Sequence, residues 1–485
     1  MMSTSQGWKR AITIGGSIAG LLAARVLADY YEEVVIVERD RFPDGPENRR
    51  GTPQAFHSHR LLMRGKIILE ELFPGYADDL LAQGAFSREN KQIQLHYHRY
   101  GKLVIPDEKD AGCSRALLEW VIRRRVAQLP NVRFITEHEV TSLQASSDGM
   151  TITGVYLQQR GEAGNGQPMM LETDMVCDTS GRSSKLGQWL QELGYEVPEP
   201  ERVNVSFGYS SRQYKVPEHV AMEWSTILLE GNSAQGIATG TFESIENNIA
   251  QVLLFRAGGQ SYPTTNADEY EQEIADLFDS AITDIVKHLE PLTAPRGFRV
   301  SACIRNHFEQ MEHWPSGLLV MGDALCNFDP VYGQGMSVAA IEAEQLARCL
   351  QEQRHTPDPR FELHVLHNMQ QAIEPAWWFS MVSDLRWSGV TYTGPVSMEG
   401  IAFAQDYFDS YLEQAIGQYN IEMFENYMMM TSLIISPQEV INPDRIAAVL
   451  AKDLSPKGRR LAAKWVREDG TVDWNTLSRI LPSFI

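Results

Sequence analysis

At 485 residues the chain is too long for one ordinary core, and two or three lobes are expected. With 43% hydrophobic and 22% charged residues it has the make-up of a soluble globular protein, which excludes extended disorder. A net charge of −20 excludes a nucleic acid or an anionic membrane as partner, because phosphate binding needs clustered Lys and Arg.

The chain opens on a short apolar strand, Ala11–Ile14, a glycine turn, and a helix from Ile18 to Ala28 with Leu21, Leu22, Val26 and Leu27 at helical spacing. The run Val34-Val35-Ile36-Val37 follows, suited to a parallel strand buried on both faces. Together these make a βαβ unit at the start of a doubly wound sheet. The apolar run Ala11–Ala28 behind Lys9-Arg10 has the look of a signal peptide, but the strand–glycine–helix pattern accounts for it.

Residues 39–60, rich in Arg, Pro, Gly and His, read as a long functional loop before a helix over 61–72. Ile93–His98 and Leu103–Ile105 read as an inserted strand pair, with His96 and His98 sharing one strand face, read as an exposed one, the alternative being that they line the substrate cavity. Ser114 caps a helix carrying Leu117, Leu118, Val121, Ile122 and Val126, and Arg123-Arg124-Arg125 read as its solvated face. Further strands are expected over 132–136, 140–144, 151–158 and 175–177.

From Val203 the texture becomes alternating. Val203, Val205, Phe207 and Tyr209, then 237–242 and 249–255, predict a mostly antiparallel sheet over about 195–300. Leu318–Met321 returns as a strand, followed by a helix from Gly335 to Gln351. Beyond 355 the chain reads as helical and dense in aromatic and Met side chains, which serve chiefly as core and partly as a pocket for a large apolar molecule.

Two glycine-rich segments carry the chemistry. In Gly15-Gly16-Ser17-Ile18-Ala19-Gly20, Gly15 and Gly20 stand where the outer glycines of GxGxxG belong, and Ser17 replaces the middle one. Such a turn brings backbone N–H groups and a helix N-terminus to a pyrophosphate. Glu38, 18 residues beyond Gly20 and after a strand, is placed to accept the hydroxyls of an adenosine ribose. This segment alone fits FAD or NAD.

The second segment runs from Gly322 to Gly335. Asp323 follows a strand, where its carboxylate can hold ribityl hydroxyls, and Pro330, Gly333, Gln334, Gly335 and Met336 open a helix. The N–H groups and dipole of that helix suit the edge of a flavin that becomes negative on reduction. The pair of segments points to FAD.

With these motifs the chain resembles the FAD-dependent aromatic hydroxylase and epoxidase superfamily of the para-hydroxybenzoate hydroxylase fold, closest to its bacterial polyether epoxidase and squalene epoxidase-like branch. The resemblance rests on Gly15–Leu22, on Arg49-Arg50-Gly51-Thr52-Pro53-Gln54 with His57 and His59, on Asp178-Thr179-Ser180-Gly181-Arg182-Ser183-Ser184, and on Gly322-Asp323-Ala324 with the Pro and Gly residues after it. It implies that Arg49, Gly51 and Pro53, together with Pro330 and Gly333, lie beside the flavin. It implies that Arg39, Arg115, Asp178 and Gly181 join Gly15, Gly16, Ser17, Ala19, Gly20 and Glu38 around the cofactor. The middle motif of the family usually reads DG, whereas here it is Asp178-Thr179-Ser180-Gly181. That departure leaves the electron donor open between NAD(P)H used directly and a separate flavin reductase.

The fold class expected is α/β. A Rossmann-like FAD domain (1–83, 109–192, 301–352) is interrupted by a strand pair (84–108) and an antiparallel substrate domain (193–300), with a C-terminal helical region (353–485). The resemblance implies a cytoplasmic monooxygenase that inserts one atom of O2, through a flavin C4a-hydroperoxide, into a hydrophobic small molecule such as a polyketide or terpenoid intermediate. An FAD-dependent dehydrogenase or reductase and a flavin-binding regulatory protein are the alternatives. No third ligand joins His57 and His59, so no metal is expected. Trp377-Trp378 lacks the spacing of the halogenase signature. The five scattered cysteines read as reduced thiols, and no transmembrane or nucleic-acid-binding segment is evident.

Overall fold

The computed structural model describes residues 8–160, 168–220 and 222–482. Five parallel strands form the first sheet, in the order Leu318–Val320, Met175–Asp178, Trp8–Ile14, Tyr31–Val37, Val132–Ile135. Ala11, Ile12, Val34, Val35 and Ile36 are wholly buried, as apolar strands covered on both faces require. The register is level: Ile14 pairs with Val37 and Asp178, Val37 with Ile135, and Asp178 with Val320. Each strand therefore leaves the sheet at one common edge, where an open α/β sheet binds its ligand.

Helix Ile18–Leu27 packs on this sheet and against helices Arg115–Ala127 and Gly335–His355. A three-stranded antiparallel sheet, His138–Ala145, Ile152–Gln159 and Met169–Glu172, packs against Met175–Asp178 and Tyr31–Val37. Ser114 caps its helix as expected, its hydroxyl accepting from Leu117 N–H at 3.1 Å.

The largest sheet has eight strands and is antiparallel except at one joint. Its centre is Phe207–Lys215, Ile249–Arg256, Thr239–Ile245 and Trp224–Glu230. The strand pair Gln92–Tyr97 and Gly101–Pro106 extends it, with Gln92–Tyr97 parallel to Trp224–Glu230. Tyr214, Ile227, Phe242 and Val252 form a separate core beneath it with the short helices Tyr270–Ala275 and Ala281–Val286.

Three local expectations change. The alternation from Val203 to Tyr209 is two strands, not one. Glu201–Asn204 pairs with Cys303–Arg305 and Thr391–Thr393, whereas Phe207–Lys215 joins the large sheet. Ser206, at φ 43°, turns the chain between them while all four apolar side chains stay buried. His96 is not on an exposed face: it is buried against Asp279, with Nδ1 3.0 Å from the carboxylate. Arg123 also leaves the solvated face. It lies over the Phe42 ring at 4.5 Å and donates to Pro43 C=O at 2.7 Å.

The C-terminal region is helical, with Phe361–Asp384 packed along Gly335–His355 and then Met398–Leu412 and Ile421–Thr431. Trp377, Trp378, Tyr407 and Tyr411 are fully buried core. No helix among the described residues is long and apolar enough to cross a membrane.

Candidate functional site

A cavity of about 390 Å³ opens at the level edge of the parallel sheet. The first glycine turn gives it Gly15, Ser17 and Ala19, and the end of the second strand gives Glu38 and Arg39. Gly15 has φ 104°, and a Cβ there would stand 2.7 Å from the Thr179 carbonyl oxygen. Only glycine fits this crossing of the two strand ends. Gly16 and Gly20 stand just behind the surface: Gly16 N–H donates to Glu38 Oε2 at 2.9 Å, and Gly20 packs on the Gly15 carbonyl.

Ser17, the departure from GxGxxG, has a defined local role. Arg115 Nη2 donates to its hydroxyl at 2.7 Å, and that hydroxyl donates to Glu119 Oε2 at 3.1 Å. Glu119 also binds Arg115 Nη1 and Arg49 Nε, each at 2.9 Å. Arg49 Nη1 reaches Asp40 at 3.0 Å and Glu38 at 3.3 Å. Arg115 and the Glu119 carboxylate are buried. Burial works to raise the Glu119 carboxyl, yet Arg115 and Arg49 together hold it below its ordinary range. The glycine motifs do not single out Glu119, although its position four after Arg115 on a helix is a signal for it.

Arg49 thus lines the cavity at its Glu38 end, among three carboxylates. Gly51 and Pro53 line the cavity beyond it, and Arg115 lines it from its helix.

The middle motif meets the cavity through Thr179 to Ser183, including Gly181. Asp178 does not face it. Its carboxylate is wholly buried and accepts from Ser180 N–H at 2.9 Å and Ser184 Oγ–H at 2.6 Å, so it shapes the loop from behind. Burial raises its carboxyl, against these hydrogen bonds.

The second glycine segment closes the other side. Gly322, at φ 65°, packs against Ala19, so the two segments touch. Asp323 lies deep in the protein yet keeps 38% of its side chain open to the cavity, with Arg182 Nε 3.6 Å away. Burial raises its carboxyl, and Arg182 and Arg115 oppose that. Pro330, Gly333, Gln334, Gly335 and Met336 complete the wall.

His57 and His59 do not face a common metal. His57 Nδ1 meets Ser211 Oγ at 2.9 Å, and His59 Nδ1 meets the His57 carbonyl at 2.8 Å. Burial lowers them to about 3 and about 4, so both rings are neutral. Possible ligand atoms of Cys349 and Glu352, on helix Gly335–His355, and of His364, on helix Phe361–Asp384, do lie within 4.8 Å of one another.

The residues present fit FAD. Helices Ile18–Leu27 and Gly335–His355 both begin at the cavity without a side-chain cap, so their first N–H groups are free for a ligand. Ser180 Oγ and Arg49 Nη2 are buried polar atoms without a protein partner at the same place. Asp323 offers an open acceptor between the two helix ends.

A second cavity, of about 300 Å³, lies behind the Pro330–Gln334 wall. Arg60, Pro330, Gly333 and Gln334 border both cavities. The large sheet supplies Leu95, Leu228 and Phe255, and the C-terminal helices supply Phe379, Phe408 and Tyr427. His98 reaches this cavity too.

The wall is tied to the C-terminal helices. Ser380 Oγ donates to Gln334 Oε1 at 2.6 Å, and Tyr332 O–H donates to Asp384 Oδ1 at 2.7 Å. Asp384 and Asp329 are both buried and face each other; burial raises both carboxyls, and Asp329 adds to the rise at Asp384. Nothing in a linear sequence joins residues 329 and 384.

The model of the FAD binding domain family matches residues 10–356. The Mycobacterium tuberculosis protein Rv3254 is 29% identical over 388 residues, which is 79% of this chain and 81% of that protein. The flavin-dependent brominase Bmp2 has a similar fold, with TM-score 0.62 and 15% identity, covering 87% of this chain and 93% of that one. The p-nitrophenol 4-monooxygenase PnpA of Pseudomonas putida DLL-E4 superposes with TM-score 0.58 and 14% identity, over 89% of this chain and 99% of that one.

Proposed function

The chain belongs to the FAD binding domain family, and we propose that it is a single-chain FAD-dependent monooxygenase. In this reading it inserts one oxygen atom of O2 into a hydrophobic small molecule, by epoxidation or hydroxylation. The adjoining cavities, with the Pro330–Gln334 segment as common wall, are the observation that carries it. One suits a dinucleotide, and the other, with aromatic and polar stretches in its wall, suits a smaller molecule.

The first cavity holds FAD. The N–H groups of Ser17, Ile18 and Ala19 take the pyrophosphate, Glu38 the ribose, Asp323 the ribityl chain, and the Gly333–Met336 helix start the flavin. When bound and reduced by NAD(P)H, directly or through a separate reductase, FAD supplies the activation of O2. Arg115 and Glu119 fix the turn through Ser17. The wall keeps the reacting faces together, and the aromatic side of the second cavity, Phe255, Phe379 and Phe408, limits the water that would quench an activated oxygen.

The domain division follows the same logic. Residues 84–108 and 193–300 form one substrate-binding unit, which the pairing of Gln92–Tyr97 with Trp224–Glu230 supports. The polyether epoxidase-like branch is the finer assignment, supported by the motifs around Arg49 and Asp178. The test is turnover of the FAD-loaded protein under 18O2 with a panel of hydrophobic alkenes and phenols. Product carrying one 18O atom is expected. Oxidised but unlabelled product would instead favour a dehydrogenase.

A further inference from the structure

The second cavity contains a carboxylate that the protein itself leaves unused. Glu230 ends the strand Trp224–Glu230, and its side chain is open to the cavity although protein encloses it. Among the described residues none donates a hydrogen bond to that carboxylate or closes an ion pair with it; only longer-range charges act on it. Those charges are Arg386 and Arg99, and both are engaged elsewhere. Arg99 binds Asp409 at 2.6 Å and Arg386 binds it at 3.1 Å, with Lys457 as a third partner.

Tyr97 and Tyr427 flank the same place, and neither hydroxyl has a hydrogen-bond partner among the described residues. Burial raises both phenols, and Glu230 adds to the rise, so both stay protonated. Burial also pushes the Glu230 carboxyl up to about 7, with Arg386 and Arg99 opposing.

A carboxylate open to a cavity and without a protein donor is free to bind a ligand, and a few such polar groups in a pocket are what fix a ligand's orientation. Leu228, Leu253, Phe255, Phe379 and Phe408 give the wall apolar and aromatic stretches, between polar ones from Arg60, Thr226, Thr239, Thr241 and Glu243. Two charge arguments narrow the ligand. Arg60, Arg99 and Arg386 line the cavity with Glu230 and Glu243, and Lys457 and Asp409 stand behind them, so the charges nearly balance and a cation finds no net attraction. An anion would face Glu230 itself.

We infer that Glu230 is the specificity-determining acceptor of the substrate cavity, anchoring the O–H or N–H group of a neutral aromatic substrate. A phenol or aryl N–H compound fits this description. A hydrogen bond to a carboxylate also pushes electron density into such a ring, which favours hydroxylation over epoxidation. The inference rests on the monooxygenase reading for the role of the cavity.

The test is calorimetric titration of the FAD-loaded protein at about pH 8, above the Glu230 value, with 1-naphthol, 1-methoxynaphthalene and 1-naphthoate. The wild type is expected to bind 1-naphthol about tenfold more tightly than its methyl ether, and more tightly than the acid. Glu230→Leu is expected to remove that preference while still binding the ether, and Glu230→Gln to retain part of it. Equal affinities in the wild type, a preference that survives in Glu230→Leu, tightest binding of 1-naphthoate, or no binding of any probe would each overturn the inference. The flavin spectrum separates the two levels. Protein that takes up no FAD removes the monooxygenase reading and this inference with it, whereas loaded protein without discrimination removes only the role of Glu230.

Discussion

Replacing Glu119 by Gln tests the network behind the dinucleotide turn. The carboxylate accepts from Arg49 Nε and Arg115 Nη1 at 2.9 Å and from Ser17 Oγ at 3.1 Å. A hydrogen bond to a charged group contributes about 1.5–3 kcal/mol, but the losses do not add here. Arg49 keeps Asp40 and Glu38, so the damage falls on Arg115, left with the Ser17 hydroxyl. Breaking one partner out of a buried pair costs about 3–5 kcal/mol. The expected loss is therefore about 3 kcal/mol, read by urea denaturation of Glu119→Gln, Arg115→Met and the double variant. In the Glu119→Gln background, Arg115→Met should cost at least about 1 kcal/mol less than in the wild type. The pH dependence has a definite sign. A carboxyl held low in the folded state contributes stability that is complete above its unfolded range and is lost as pH falls through the folded value. The acid limb of the variant should be correspondingly shallower. A loss below about 1 kcal/mol with no coupling would refute the network.

Three other outcomes follow from the same geometry. Asp323→Ala is expected to lower FAD occupancy with little change in circular dichroism, since the side chain faces the cavity and its nearest ion pair is 3.6 Å long; full retention of FAD would remove its ribityl role. Glu38→Ala should weaken FAD binding by about 1–3 kcal/mol by fluorescence titration, and should also lower stability because Gly16 and Asp40 N–H lose their acceptor. Burial works to lower His307, but Glu201 at 3.1 Å and Glu309 at 2.8 Å clasp the ring and raise it from 6.5 to about 9. Its contribution is complete below its unfolded value and is lost as pH rises through about 9, so stability of the wild type should fall across that window and that of His307→Gln should not.

Much of the site was legible because it is local. The strand, turn, helix and strand of residues 11–37 each follow from a short pattern, and Glu38 comes next in the chain. The Gly322–Gly335 segment is equally contiguous, and its strand and helix stand where the pattern puts them. What escaped depends on tertiary contact. Alternation through Val203–Tyr209 is unbroken in sequence, yet Ser206 at φ 43° divides it between two sheets, and alternation carries no information on a turn that preserves burial. His96 meets Asp279 from a distant segment. The Asp329–Asp384 pair and the position of Glu230 opposite Tyr427 likewise come from elements far apart in the chain. The contact of Arg49 with Glu119, 70 residues away, is of the same kind.

The most direct measurement is stopped-flow absorbance of the FAD-loaded, reduced protein mixed with O2, with and without the naphthol probe. An absorbance transient distinct from both reduced and oxidised flavin is expected, because a site that excludes water lets an oxygenated species persist. Direct return to oxidised flavin under both conditions would contradict the monooxygenase assignment and leave a flavin dehydrogenase in its place.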